Sequence, residues 1–172
     1  MSKSAAPTIE ELQKRLEVVE DERAILQTLY HFCHCADYGL DQQWGDYFTE
    51  DGVFGVRGRE GLADIPDTRV QGREALAAFR TRQTRAPEKY HKHLMAEPVI
   101  SFKSRDEANV VSYLLIVDSG GGRIYVLVFG RFHDRMVKQG GRWRFKERIF
   151  EIEAAHDTSL LGLTPDDFAR KG

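Results

Sequence analysis

Hydrophobic and polar positions change their spacing once along this chain of 172 residues, which divides it into a helical part and a strand-rich part. Up to about residue 82, most apolar side chains recur every three or four positions, the spacing of one helix face. From about residue 90, runs rich in Val, Ile, Leu, Phe and Tyr are separated by turn signals, a pattern typical of strands. The order predicts an α+β fold with the helices on one face of a curved sheet.

The amino-terminal part predicts a helix that begins at a capping box. Thr8 and Glu11 have the spacing at which a hydroxyl and a carboxylate satisfy free amides at a helix start. An apolar stripe follows at helical spacing, formed by Ile9, Leu12, Leu16 and Val19. Such a stripe packs either on the body of the domain or on another subunit.

A second helix, or a continuation of the first, is predicted from about Asp21 to Asp37. Leu26, Tyr30 and Cys33 lie on one stripe, and Asp37 occupies the next position on it. An unpaired buried carboxylate is costly, so Asp37 is unexpected there. The pattern leaves two interpretations open: the helix ends at an exposed Asp37, or Asp37 is buried with a partner.

The region between the helices and the strands predicts several short elements. Leu40–Glu50 reads as a short helix, Val53–Val56 as a short strand, and residues 57–70 as a polar loop long enough to form a lid or rim. A further helix follows Gly72, with Leu76 and Phe79 on its apolar face.

Four long strands are predicted in the second part, joined by Gly-containing hairpin turns at residues 119–122 and 139–141. They are Tyr90–Phe102, Ala108–Asp118, Arg123–Val137 and Trp143–Ala154. Strands joined in this way form antiparallel pairs. We expect a single domain over residues 1–172, with a loose tail at 1–7 and a carboxy-terminal extension at 155–172 that wraps the body or a neighbouring subunit.

The first of these strands carries an unusual polar face. Alternation puts His91, His93, Met95, Glu97 and Val99 on one side, which is then either exposed to solvent or part of the wall of a polar cavity. A proline at position 98 belongs at an edge or a bulge, and a bulge would change the facing beyond it.

Composition and charge exclude several classes of function. A net charge of −2 argues against nucleic-acid binding, and no apolar run has the length of a membrane span. The first residues have no apolar core of a secretory signal, so we expect a cytosolic protein. Cys33 and Cys35 lack the spacing of a metal site or a disulfide, and we expect reduced thiols and no metal.

The order of these landmarks resembles the NTF2-like superfamily, in its SnoaL-like branch. The resemblance is carried by Ala36-Asp37, the segment from Trp44 to Gly52, the helix from Gly72 to Phe79, His93, and Gly141-Arg-Trp143. It covers about residues 8–154 and implies a cone-like α+β fold around a pocket. The superfamily includes dehydratases, isomerases, cyclases, dehydrochlorinases and non-enzymatic binders, so the fold alone does not choose a reaction.

Within that branch the chain looks most like small cofactor-free lyases such as scytalone dehydratase, bile acid 7α-dehydratase and hexachlorocyclohexane dehydrochlorinase. By this resemblance, His93 is the general base and Asp37 orients and charges it. The implied substrate is small, apolar and ring-containing, and the implied assembly is a homo-oligomer, a trimer before a dimer. Three alternatives stay open: loss of halide or a small aldehyde instead of water, an isomerase or cyclase of steroid or polyketide type, and a non-catalytic binding module.

This chain also departs from the dehydratases, which carry a tyrosine shortly before or beside the helix aspartate. Here the preceding residue is Ala36, so Tyr30 or Tyr38 would have to supply the hydroxyl. We expect Tyr30, Tyr38, Glu97 and Arg131 as further substrate-binding residues. For Tyr30 the alternative is a core position, for Glu97 a rim carboxylate or a salt bridge, and for Arg131 a salt-bridge ladder on the outer sheet face. His91 is expected at the rim.

Overall fold

A computed structural model of the protein describes residues 6–62, 65, 67–120 and 122–155. Its helices are α1 (Ile9–Tyr38), α2 (Asp41–Asp46) and α3 (Arg73–Thr81). Its strands are β1 (Phe48–Gly58), β2 (Thr68–Gln71), β3 (Lys92–Phe102), β4 (Glu107–Gly120), β5 (Arg123–Gln139) and β6 (Arg142–Ala155). The predicted capping box, the helix after Gly72 and the four long strands are confirmed.

The strands form one six-stranded sheet in the order β2-β1-β6-β5-β4-β3. β1 runs parallel to β6, and every other neighbouring pair is antiparallel, so the sheet is mixed. In the described residues β2 and β3 are its two edges, and the sheet is not closed. The helices pack against one face, here called the inner face, which carries buried side chains such as Leu114, Phe132 and Ile152. The predicted α+β class is confirmed.

Helix α1 is one continuous helix of 30 residues, so the second predicted helix is a continuation of the first. Its amino-terminal half projects beyond the body, because the four side chains of its apolar stripe are exposed within this chain. The buried stripe begins at Ile25 and continues through Leu29 and Phe32. The helix stops at Gly39, whose φ of 75° is left-handed and whose amide bonds to the Cys35 carbonyl oxygen.

The region after α1 differs from its prediction. Helix α2 ends at Asp46, and Phe48 already belongs to β1, which continues to Gly58. The predicted helix over Leu40–Glu50 is therefore wrong in its second half, and the predicted strand Val53–Val56 is too short. The reason is tertiary: Phe48 pairs in parallel with Phe145 of β6, a partner that local periodicity cannot reveal.

A bulge interrupts β3 where the proline predicts one. Glu97 has a φ of 49°, and the register to β4 shifts between Ala96 and Val99. Beyond the bulge the facing is reversed, so Ile100 packs against the core and Val99 is exposed. The strict alternation stated above therefore holds only from His91 to Met95.

A buried ion pair lies in the aromatic core. The Arg148 Nε atom is 3.6 Å from an Asp134 carboxylate oxygen, and neither side chain is exposed. The guanidinium carbon of Arg148 lies 3.6 Å from the ring centroid of Phe132, 4.3 Å from that of Phe32 and 4.4 Å from that of Phe145. This pair is a charged element surrounded by aromatic side chains.

Two further predictions concern the ends of the chain and the cysteines. The predicted extension lies outside the described residues apart from Ala155, and the predicted tail lies outside them apart from residues 6 and 7. Cys33 and Cys35 are buried free thiols. Burial raises the pKa of Cys33 to about 12, which makes its thiol unreactive near neutral pH.

Candidate active site

The carboxylate of Asp37 occupies an unfavourable position unless it has partners. Asp37 is only 5% exposed and lies in the last turn of α1, where the free carbonyl groups of the helix carry partial negative charge. Burial and the helix end both oppose a second negative charge there. The partners that stabilise this carboxylate come from the neighbouring strand β3.

His93, the second residue of the edge strand β3, supplies that partner. Its ring nitrogen Nδ1 is 2.7 Å from Asp37 Oδ1. Its backbone amide also donates to the same carboxylate, at 3.2 Å from Oδ1 and 3.4 Å from Oδ2. Because β3 is at the sheet edge, amides on its free side have no strand neighbour, and Asp37 satisfies one of them.

The electrostatics of the pair follow from these contacts. Burial alone would raise the pKa of Asp37, but the hydrogen bond and charge of His93, its backbone amide and the charge of Lys92 lower it below its ordinary value. The carboxylate is therefore ionised near neutral pH and accepts a hydrogen bond from Nδ1 of His93. In the neutral ring this bond keeps the proton on Nδ1 and the lone pair on Nε2.

A cavity opens beside His93, between the helices and the inner face of the sheet. Its volume is about 830 Å³ counting the open mouth. About 100 Å³ of it admits the centre of a water-sized sphere, several times what one water needs. Most of its wall is apolar and comes from Phe32, Ala36, Trp44, Phe54, Val56, Phe79, Leu114, Ile116, Leu127, Phe132 and Phe150. These walls suit a small apolar molecule.

The polar part of the wall lies on the side of the two histidines and comes from Arg80, Gln83, Thr84, Lys89, His91 and His93. Arg80 is buried and donates a hydrogen bond to the Ala36 carbonyl oxygen, which anchors the end of α1. Lys89 pairs with the buried carboxylate of Asp118 at 2.7 Å. This side of the cavity therefore carries charges of both signs, with Arg80 and Lys89 basic and Asp118 acidic.

His91 differs from its prediction, because it is a wall residue and only 8% exposed. Its ring lies 5.2 Å from the ring of His93, centroid to centroid, at an interplanar angle of 71°. Asp37, His91 and His93 each offer one atom that could bind a metal, and these three atoms lie within 4.8 Å of one another. Two imidazoles and a carboxylate are a donor set that transition metals accept, so these three are the residues that could hold such an ion.

The two predicted tyrosines are not in the cavity wall. Tyr30 is 46% exposed and Tyr38 is 49% exposed. The buried face of α1 is centred on Leu29, Phe32 and Ala36, which turns Tyr30 outward. Tyr38 is the last residue of the helix, and its ring is covered by the ammonium group of Lys92 at 4.6 Å. Neither hydroxyl is therefore placed to assist a ligand in this cavity.

Glu97 and Arg131 also lie away from the cavity. The bulge at Glu97 leaves this residue exposed. Arg131 is on the outer face of β5, where it pairs with Glu151 at 2.9 Å and with Glu153 at 2.7 Å. The salt-bridge ladder, the alternative for Arg131, describes its position, and Glu97 is an exposed carboxylate. Of the six predicted site residues, the structure brings only Asp37 and His93 together at the cavity.

The burial of His91 should make stability depend on pH. Burial, the charge of His93 and the charge of Arg80 lower the pKa of His91 to about 4. An unfolded histidine titrates near pH 6.5, so between these values the unfolded chain binds a proton that the folded chain does not. As pH falls through this window, the free energy of unfolding should lose about 1–3 kcal/mol through His91, the lower value allowing for water at the cavity mouth.

The measurement is denaturant unfolding of the wild type and of His91→Gln at about pH 6.5 and about pH 4. The variant lacks the titrating ring, so its stability should fall less on acidification. His34→Gln is the matched control, since His34 is an exposed histidine on α1. Equal acid sensitivity of the wild type and His91→Gln would contradict the assignment.

The fold and the pair of Asp37 and His93 define a class of protein. It is an α+β domain whose long helix and edge strand bring an aspartate and a histidine together beside an apolar cavity. Residues 17–149 match the SnoaL-like domain family. The match covers most of the chain, and the protein belongs to this family. No curated protein matches the chain at a significant level.

Solved structures from Novosphingobium aromaticivorans share the fold. An NTF2-like protein with a cystatin-like fold has a TM-score of 0.74 at 18% identity, over 93% of this chain and 99% of that one. The β subunit of a candidate aromatic-ring-hydroxylating dioxygenase has 0.71 at 20% identity, over 84% and 96%. A candidate scytalone dehydratase has 0.63 at 23% identity, over 82% and 89%. These values establish a common fold.

No helix within the described ranges is both long enough and apolar enough to span a membrane.

Proposed function

We propose that this protein is a cofactor-independent lyase that eliminates water from a small, ring-containing substrate, with His93 as general base and Asp37 as the residue that orients it. The observation that carries the proposal is the 2.7 Å bond between His93 Nδ1 and Asp37 Oδ1 at the wall of an apolar cavity. The bond leaves Nε2 of His93 for the substrate. An imidazole held in this way can take and return a proton near neutral pH.

The reaction needs two proton transfers and no redox change. Nε2 of His93 takes a proton from the carbon beside an activating group, and the released electron pair forms the new carbon–carbon double bond. The bond to the leaving hydroxyl breaks, and the proton on His93 passes to that oxygen, so water departs. Asp37 stabilises the imidazolium between the two transfers. Both transfers require the leaving group and the abstracted proton on the same side of the ring.

The family and the cavity support this reaction more than its alternatives. The SnoaL-like family includes dehydratase-like enzymes, and a structural neighbour is a candidate scytalone dehydratase. An isomerase of steroid type uses a carboxylate base, whereas here the Asp37 carboxylate is occupied by His93. Loss of halide or of a small aldehyde would use the same base and stays open as a variant of the same step.

The test is a panel of β-hydroxy ring ketones incubated with the purified protein in D₂O. We expect new conjugated absorbance in the ultraviolet, with any deuterium confined to unreacted substrate at the carbon from which His93 takes the proton. A matched panel of β-halo compounds separates loss of halide from loss of water. Deuterium exchange with a shifted double bond and no released water would indicate an isomerase. Stoichiometric binding of a ring compound, without deuterium exchange and without release of water or halide, would indicate a binding module. A tight protein partner on co-purification would indicate a subunit of a larger complex.

The assembly, the domain organisation and the location stay predictions. We expect a homo-oligomer, because the apolar stripe of Ile9, Leu12, Leu16 and Val19 is exposed on α1. The resemblance to the dehydratases favours a trimer over a dimer. Sedimentation of the purified chain would decide the number of subunits. We also expect that residues 1–172 form a single domain and that the protein is located in the cytosol.

A further inference from the structure

His91 is a wall residue of the cavity that the proposed reaction does not yet use. It is buried, and among the residues that the structure describes its ring has no hydrogen-bond partner. Its ring nitrogens are accessible and not sealed in the core, so they can bond to a ligand. The ring contacts His93 edge to face, so both rings border the same space. A ligand in the cavity is the partner that is available to His91.

The spacing of the two histidines suits one small functional group. A ring nitrogen of His91 lies within 4.8 Å of one of His93. Hydrogen bonds between nitrogen and oxygen span about 2.9 Å, so adjacent atoms of one ligand in the cavity can reach the two rings. If His93 faces the carbon that loses its proton, His91 faces the atom bonded to that carbon. In a carbonyl compound this neighbour is the carbonyl group, whose oxygen becomes negative as the proton leaves.

The charges around His91 favour an oxyanion over a metal ion. Arg80 and Lys89 line the same side of the cavity, and both are positive. Lys92 contributes a further positive charge near Asp37. Against these three positive charges stand the carboxylates of Asp37 and Asp118. Among the described groups the balance is therefore positive by one charge, which favours a developing negative charge over a divalent cation. A neutral imidazole carries one N–H donor, which is what the His91 ring offers to the cavity.

We propose that His91 is a catalytic hydrogen-bond donor to the substrate carbonyl oxygen, and that the substrates are therefore ring compounds with a carbonyl beside the C–H bond that is broken. His91 thus takes the place of the tyrosine hydroxyl that the resemblance implied and that neither Tyr30 nor Tyr38 supplies. The proposal rests on the function given above. As the carbonyl becomes an enolate, the bond from His91 strengthens, which lowers the barrier to proton abstraction.

The test uses ring phenols of increasing acidity, whose phenolate oxygen resembles an enolate and whose absorbance reports ionisation. The wild type should bind the more acidic phenols more tightly and increase their ionised fraction. His91→Leu should lose about 10–100-fold in affinity, whereas His91→Gln, which keeps an N–H donor, should lose less. Thermal unfolding of both variants checks that they are folded. On a turned-over substrate His91→Leu should also lose about 10²–10³-fold in kcat.

Two results would overturn the assignment. Equal phenolate binding by folded His91→Leu and the wild type removes the donor role. Stoichiometric Zn²⁺ binding by the wild type that is lost in His91→Leu, with no phenolate binding, makes the cluster a metal site. Failure of the proposed function gives a different pattern. In that case phenolates still bind through His91, but no β-hydroxy ketone in the panel loses water or exchanges its proton.

Discussion

Replacing His93 with glutamine should lower kcat by about 10²–10⁴-fold, the contribution of a positioned general base. Glutamine retains a hydrogen-bonding group near Asp37 but has no nitrogen lone pair that can take a proton. The cavity stays in place, so KM should change less than kcat. The measurement is the steady-state rate on the first substrate that the elimination panel identifies. Full activity of His93→Gln would remove the role given to this residue.

The matched variants make this prediction sharper. Asp37→Asn removes the charge that holds the ring and stabilises the imidazolium, so it should cause a loss of similar size. Because the two residues act as a unit, the double variant should lose little more than either single variant. His34→Gln, an exposed histidine on the same helix as Asp37, should retain wild-type rates. Additive losses would mean that the two residues act independently.

Removing one partner of the buried pair between Asp134 and Arg148 should destabilise the fold by about 3–5 kcal/mol. Asp134→Asn keeps the shape but leaves the Arg148 guanidinium in the core without its anion. Three aromatic faces surround this guanidinium, and they compensate only part of the lost attraction. Urea unfolding at neutral pH measures the loss, with Asp51→Asn as the control at an exposed aspartate. A loss below about 1 kcal/mol would contradict the prediction.

The opposite single variant and the double variant complete the comparison. Burial raises the pKa of Asp134 despite the nearby charge of Arg148, so in Arg148→Met this carboxyl is expected to fold with its proton. The unfolded chain ionises the same group above about pH 4, so Arg148→Met should gain stability as the pH falls from about 7 to about 4. The wild type should gain as well, because burial raises the pKa of its Asp134 to about 7. The double variant Asp134→Leu, Arg148→Met buries no charge. It should be close to the wild type in stability, as replaced buried ion pairs often are.

Short-range patterns predicted most of the secondary structure. Thr8 and Glu11 indicated the start of α1, and the Gly-containing turns separated β4, β5 and β6. These features depend on neighbours a few residues apart, so they can be read along the chain. The end of α2 and the start of β1 could not be predicted in this way. Phe48 becomes a strand residue by pairing with Phe145, almost a hundred positions away.

The candidate site was predicted only in part, and for the same reason. The resemblance singled out Asp37 and His93, but the direction of each side chain depends on how α1 meets the sheet. Tyr30 was expected on the stripe of Asp37, yet the buried face of α1 is centred one position away and turns it outward. His91 was expected at the rim, yet the contact of β3 with the body buries it in the wall. Its two-residue spacing from His93 was the signal that could have found it.

By itself the sequence determined the helices-then-strands order, the hairpins, the bulge near residue 98 and the two residues most worth examining. Tertiary structure decided that a carboxylate and an imidazole 56 positions apart meet at 2.7 Å, and that His91 faces the same cavity. The physical reason is that an aspartate at the negative end of a buried helix is unfavourable alone. Only the packing of the edge strand β3 against that helix end supplies the donors that stabilise it.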